Sequence, residues 1–241
     1  MTDFQFGKGY IEQHNIWPTT ITKGILEFGD KSKAMQAIFD AIVDAGGDIS
    51  GEESGILSLH KDPRLDSIYE QIANLIRHRL ELLSVEHNKL NINIHKSWPN
   101  ILINRATPIH SHKDAHISFS FYLNVPEDKA QDLVFTRTQT EPHPNDPYPF
   151  AFGHLVKSYD WYNCLTYSLN AEEGSAYVFP SHVAHFTQGK SSYTGELEKI
   201  NTIDDLYNSR VCVAGDVLFT FKELHKETTG IQPHFNWRTF S

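Results

Sequence analysis

Beyond Asn88 the chain breaks into short apolar runs that alternate with polar residues, and this pattern narrows the fold more than any other feature. Leu90, Ile92 and Ile94 alternate with Asn91, Asn93 and His95, the period of a strand that buries one face. Further strand-like runs occupy residues 100–105, 117–124, 132–136, 164–169, 175–179 and 210–221, separated by Pro, Gly, Asn and Asp. Many short strands punctuated in this way predict an all-β sandwich or jelly roll.

The N-terminal part follows a different period. Residues 31–45 put Met35, Ile38, Phe39, Ile42 and Val43 on one stripe and stop at Gly46-Gly47, an amphipathic helix with a glycine end signal. Residues 64–86 repeat the helical spacing with Leu65, Ile68, Ile72, Leu75, Ile76, Leu80 and Leu83, and Pro63 stands where a missing N–H costs least. The polar stretch 48–62 between them reads as a loop. The expected organisation of the 241 residues is one domain: a helical layer over 1–89, a β core over 90–225 and a tail over 226–241. The connections 137–163 and 188–209 are long for structural loops and are therefore candidates for function.

Bulk properties exclude several classes. A formal net charge of −9 with no basic cluster argues against a surface that tracks nucleic-acid phosphates, although a small substrate read locally stays open. Cys164 and Cys212 are the two cysteines, too few for a disulfide framework or a Cys-rich zinc site, and they suit a reducing compartment. No N-terminal signal pattern and no run of eighteen apolar residues is present, so a soluble, cytoplasmic protein without a membrane partner is expected. The oligomeric state is left open.

The chemistry concentrates in the histidines. The stretch 108–124 carries His110, His112, Asp114 and His116 at every second position. Side chains two apart on a strand face the same way, so consecutive members can converge on one ion. Imidazole with carboxylate suits Fe(II) or another intermediate divalent metal, and a face of two His and one carboxylate leaves positions open for substrate and oxygen. Downstream, a Gly turn leads into the apolar strand Tyr177, Val178, Phe179, which Pro180 breaks before His185. This delivers one further His at a strand end, with His182 nearer the turn as a rim residue. Arg210 heads the apolar strand over 210–217 and keeps its charge when partly buried, so it is a candidate anchor for a carboxylate.

With these residues in hand, roughly residues 90–220 resemble the 2-oxoglutarate- and Fe(II)-dependent oxygenases, most closely a small bacterial and phage branch. The matching pieces, in order, are SWPN (97–100), HSH (110–112), ISFSFYL (117–123), EEGSAYVFPSHVAH (172–185) and RVCVAGDV (210–217). The resemblance implies a double-stranded β-helix of cupin-like jelly-roll form and an Fe(II) centre. It also implies oxidative decarboxylation of the cosubstrate 2-oxoglutarate to succinate with O2, and hydroxylation of an unidentified small molecule or peptide. It makes His185 the distal metal ligand and Arg210 the partner of the cosubstrate's far carboxylate.

The proximal pair has two readings. The superfamily pattern His-x-Asp is met by His112 and Asp114, and the branch pattern His-x-His by His110 and His112. The set His112, Asp114 and His185 is favoured because a carboxylate offsets the metal's charge, with His110 the alternative to Asp114. Two departures from the family stand out: Cys212 where a Ser often accompanies the arginine, and a 25-position interval from His185 to Arg210 that looks inserted. Tyr122, Tyr148, Phe150 and Trp161 are candidate substrate-wall residues, while His143 and His154 read as polar loop residues. The rival readings are a cupin-type metal enzyme or sensor with three His and no 2-oxoglutarate, and a noncatalytic phage-type β-sandwich module.

Overall fold

The computed structural model describes residues 19–46, 55–102, 107–127, 131–137, 164–187, 200–222 and 238–240. Its strands are β1 (Thr22–Ile25), β2 (Leu90–Leu102), β3 (Thr107–His110), β4 (Ile117–Asn124), β5 (Leu133–Thr136), β6 (Thr166–Leu169), β7 (Ser175–Pro180), β8 (His185–Thr187), β9 (Arg210–Phe221) and β10 (Arg238–Phe240). Its helices are α1 (Lys31–Asp44), α2 (Asp66–Leu82) and α3 (Ile203–Tyr207). The strands form two antiparallel sheets, ordered β1-β7-β4-β9-β2-β10 and β3-β8-β5-β6. β2 to β9 alone make the two four-stranded halves of a jelly roll; β1 and β10 extend the larger sheet at its edges.

Alternation along the central strands explains the layers. On β4, Ile117, Phe119, Phe121 and Leu123 face the helical side, where they join Met35, Ile38 and Ile42 of α1 and Ile68, Ile72 and Ile76 of α2 in one core. Ala176 and Val178 of β7, and Val211, Val213 and Val217 of β9, belong to the same core. The intervening Tyr122, Tyr177, Phe179 and Cys212 face inward and meet Leu133 and Phe135 of the smaller sheet. β4 is buried at every position, so its inward Ser118, Ser120 and Asn124 are polar groups held inside the sandwich.

Both helices were legible, with differences at their ends. α1 closes with Gly46 at φ 81°, a left-handed turn that a Cβ disfavours. α2 is preceded by a 3₁₀ turn at Pro63–Leu65 and stops at Leu82, short of the expected residue 86, because Ser84 adopts φ 58°. The runs at 90–95 and 100–105 are one strand to Leu102, irregular between Ile94 and Lys96. That one-residue slip reverses the facing: Ile92 and Ile94 pack under the helices, whereas Lys96, Trp98 and Asn100 turn toward the sandwich interior. Ser97 then faces the helices and is held by His60 N–H at 2.8 Å and the Tyr69 hydroxyl at 3.0 Å. The interval between His185 and Arg210 contains α3, closed by a reciprocal capping box between Thr202 and Asp205. Among the described residues no helix is long and apolar enough to cross a membrane.

Candidate metal centre

The inward faces of β2, β9 and β4 are in register, so their side chains form rows. Lys96, Asp216 and Ser118 make one row, Trp98, Ala214 and Ser120 the next, and Asn100, Cys212 and Tyr122 the third. Rows on one face of a sheet lie about 6.8 Å apart. The cavity above them, about 440 Å³ with its open mouth included, is closed on the other side by Thr107, Leu133, Phe186 and Thr187.

At the first row three imidazoles converge. His110 of β3 stands directly opposite His185 of β8, with ring centroids 4.4 Å apart, and His112 lies 5.4 Å from His185 in a stacked orientation. Each of the three offers a ligand atom within 4.8 Å of the others. The turn after β7 fixes their relation. The His112 N–H donates to Ser181 O at 2.8 Å, Ser181 N–H donates to His116 O at 3.3 Å, and the Ser181 hydroxyl donates to Ala115 O.

The Nδ1 atoms are all occupied by oxygen acceptors. Nδ1 of His110 meets Pro108 O at 2.8 Å, that of His185 meets Val183 O at 2.9 Å, and that of His112 meets Asp216 Oδ2 at 2.9 Å. Carbonyl and carboxylate oxygens only accept, so each Nδ1 carries a proton and Nε2 is the nitrogen left to offer a lone pair to a metal. Burial, with His110 alongside, pushes the His185 imidazole down to about 3, which keeps it neutral as a ligand must be. Metal bonds of about 2.1 Å need such nitrogens some 3–4 Å apart, so the donor set fits a first-row divalent ion after a small inward movement.

Asp114, favoured from spacing as the third ligand, stands outside this group. β3 ends at His110, so the every-second-residue alternation does not persist to position 114. Its side chain is 64% exposed and pairs with Lys96 Nζ at 3.3 Å. His110, the alternative in the His-x-His reading, lies with His112 and His185. His116 accepts from Phe219 N–H at 2.9 Å and stacks on that ring, and His182 is exposed.

Sequence reading missed the carboxylate that does reach the site, Asp216. It is fully buried; its Oδ1 accepts from the Ser118 hydroxyl at 2.6 Å and Lys96 Nζ lies 3.1 Å from its Oδ2. Burial acts to raise its carboxyl, but His112, Ser118 and Lys96 together hold it below the usual carboxylate range. The signal was present in the chain: an Asp inside an apolar strand, in phase with Arg210.

Arg210 opens β9 despite the long interval before it. The Asn124 amide donates to Tyr207 O at 2.9 Å and Ser209 O at 2.7 Å, tying the end of α3 to β4. The guanidinium is 1% exposed and lies over the Tyr122 ring, yet Nε and Nη1 have no hydrogen-bond partner among the described residues. A buried cation with two orphaned donors fits a carboxylate ligand. Cys212, at the position after the next, lines the cavity that the imidazoles line, and burial raises its thiol to about 11. Tyr122 lies beside the arginine rather than at an outer wall. Tyr148, Phe150, Trp161, His143 and His154 fall outside the described residues.

Residues 96–196 match the family model described as "Putative 2OG-Fe(II) oxygenase". The matched segment contains His110, His112 and His185 and ends before Arg210. Among solved structures the chain is similar to the non-heme alpha ketoglutarate dependent carbocyclase SnoK from nogalamycin biosynthesis, at 10% identity over 92% of each chain with a TM-score of 0.54. It also aligns with a Pseudomonas putida prolyl-4-hydroxylase, at 12% identity over 82% of this chain and 86% of that one with a TM-score of 0.43. At this identity the likeness to SnoK speaks to the fold alone. No curated protein matches it by sequence.

Proposed function

Taking residues 96–196 as a segment of the 2OG-Fe(II) oxygenase family, we propose that the chain is an Fe(II)- and 2-oxoglutarate-dependent dioxygenase. It hydroxylates a small-molecule or peptide substrate with release of succinate and CO2. The observation that carries this reading is the layout of one cavity face. Three imidazoles converge at one end and Cys212 lies at the other; two positions before it on the same strand stands Arg210, a buried guanidinium whose Nε and Nη1 have no hydrogen-bond partner among the described residues. Two rows of strand, about 14 Å, separate the levels of Asp216 and Tyr122, a span that a His side chain, a metal ion and a five-carbon dicarboxylate can bridge.

Bound Fe(II) supplies the reductive activation of O2, coupled to conversion of 2-oxoglutarate into succinate and CO2. The chain's own part is binding and orientation. His110, His112 and His185 offer Nε2, and the Nδ1 contacts keep the rings from turning. Arg210 donates to the far carboxylate of the cosubstrate through Nε and Nη1, with the Tyr122 hydroxyl beside it. The apolar Leu133, Phe179 and Phe186 keep water from the reacting end. Three neutral ligands leave the ion's double charge uncompensated, which favours a dianionic cosubstrate.

The test is succinate formation from 2-oxoglutarate by Fe(II)-loaded protein in air, with or without a substrate. Absence of 2-oxoglutarate binding, and of any coupled or uncoupled turnover in metal-replete protein, sinks the reading. A three-His cupin-type site without 2-oxoglutarate is the second reading, favoured by the position of Asp114 outside the imidazole group. It predicts that Arg210→Met leaves the metal-dependent activity unaltered.

A further inference from the structure

We propose that Asp216 is a positioning residue of the metal centre: it fixes the His112 ring with Nε2 toward the ion and supplies, one layer out, the carboxylate that the three imidazoles lack. This rests on the metal reading above and extends it to a residue outside the ligand set.

The three rings are oriented in unequal ways. His110 and His185 each contact a backbone carbonyl two residues earlier, at Pro108 of β3 and at Val183 in the turn before β8, so the local chain orients them. His112 follows the end of β3, where no strand constrains its ring, and its partner comes from β9, 104 positions away. Trp98 stacks against His112 at 5.6 Å, which limits tilt but leaves a flip about the ring axis open. The Asp216 contact distinguishes the two ring nitrogens, because a carboxylate accepts from Nδ1–H and cannot accept from a bare Nδ1.

Asp216 is itself held from both flanking strands. Ser118 of β4 and Lys96 of β2 are its register partners, and both contact the carboxylate. Lys96 reaches it because of the irregularity in β2, without which position 96 faces the helices. A carboxylate with 0% exposure in the centre of a sheet is costly to hold; here Oδ2 meets both the His112 ring and Lys96, and Oδ1 is held by Ser118. A carboxylate beyond a ligating imidazole raises the ligand's basicity and fixes its tautomer, and losing such a partner weakens metal binding roughly 10–100-fold.

The test uses the full chain, with Co(II) as the probe. In metal-free protein at mildly alkaline pH, ¹⁵N–¹H correlation of the histidine rings is expected to show the His112 proton on Nδ1. Asp216→Asn is expected to weaken Co(II) binding roughly 10–100-fold and to alter the Co(II) visible spectrum, with unchanged circular dichroism. Wild-type Co(II) affinity and spectrum in Asp216→Asn, or a proton on Nε2 of His112 in the wild type, overturns the proposal while leaving the metal reading intact. Failure of the wild type to take up Co(II) overturns the metal reading itself. Should Asp216→Asn fail to fold, the wild-type tautomer decides.

Discussion

Arg210 lies across the ring of Tyr122, with Cζ 4.9 Å from the ring centroid and Nη2 3.4 Å from the phenol oxygen. The ring covers one face of the guanidinium and leaves Nε and Nη1 without partners among the described residues. Tyr122 is opposite Cys212 in the β4–β9 register, and Cys212 lines the cavity that the imidazoles also line. Burial raises the Tyr122 hydroxyl, which therefore stays protonated and able to donate.

Arg210→Met is expected to weaken 2-oxoglutarate binding by at least roughly tenfold, the value of one charge-assisted hydrogen bond at about 1.5–3 kcal/mol. Without 2-oxoglutarate the same variant is expected to melt no lower than the wild type, since a buried cation with two nitrogens lacking partners among the described residues has been removed. Calorimetric titration of metal-substituted protein, with melting curves run alongside, checks both. Wild-type affinity in the variant assigns the carboxylate to another residue.

His110→Ala and Asp114→Ala separate the two proximal readings. Loss of His110 is expected to reduce Co(II) affinity by more than the roughly 100-fold that an outer partner supplies. Loss of the exposed Asp114 removes a surface ion pair worth about 0–1 kcal/mol, so affinity changes by at most about fivefold. The opposite ranking restores Asp114 to the ligand set.

The His185 shift sets a pH window for metal-free protein. Its folded value, about 3, is below the ordinary 6.5, so the unfolded chain binds the extra proton first as pH falls. The stabilising contribution is complete above about 6.5 and is lost progressively toward about 3, with a slope of at most about 1.4 kcal/mol per pH unit from this group. Denaturant melts across that range should show His185→Gln with a shallower acid slope than the wild type.

Gly215→Ala tests the packing under the site. An added Cβ would lie 2.4 Å from Cζ of Phe119 and 2.9 Å from the carbonyl oxygen of Lys96. The ring and the carbonyl sit on flanking strands, so neither retreats freely, and overpacking of this kind costs about 1–3 kcal/mol. Urea denaturation measures it; no loss of stability means that Phe119 repacks without cost.

The hydrophobic periods by themselves determined two N-terminal helices, the runs that became β4, β5, β6, β7 and β9, and a β-sandwich class, because spacing of 3.6 or 2 is a local property. Histidines at every second position before His185 also announced a candidate metal site, since neighbours two apart share a face of a strand. Short strands escaped: β1, β8 and β10 have three or four residues, too few to establish a period. What only tertiary structure decided was which of the candidate side chains come together. Where β3 ends, and where β2 slips by one residue, depends on pairing with distant strands, and those two events turn Asp114 out to solvent and bring Lys96 in to Asp216. Asp216 reaches His112 across 104 positions for the same reason: a strand's inward face is set by its neighbours, and no local spacing encodes it.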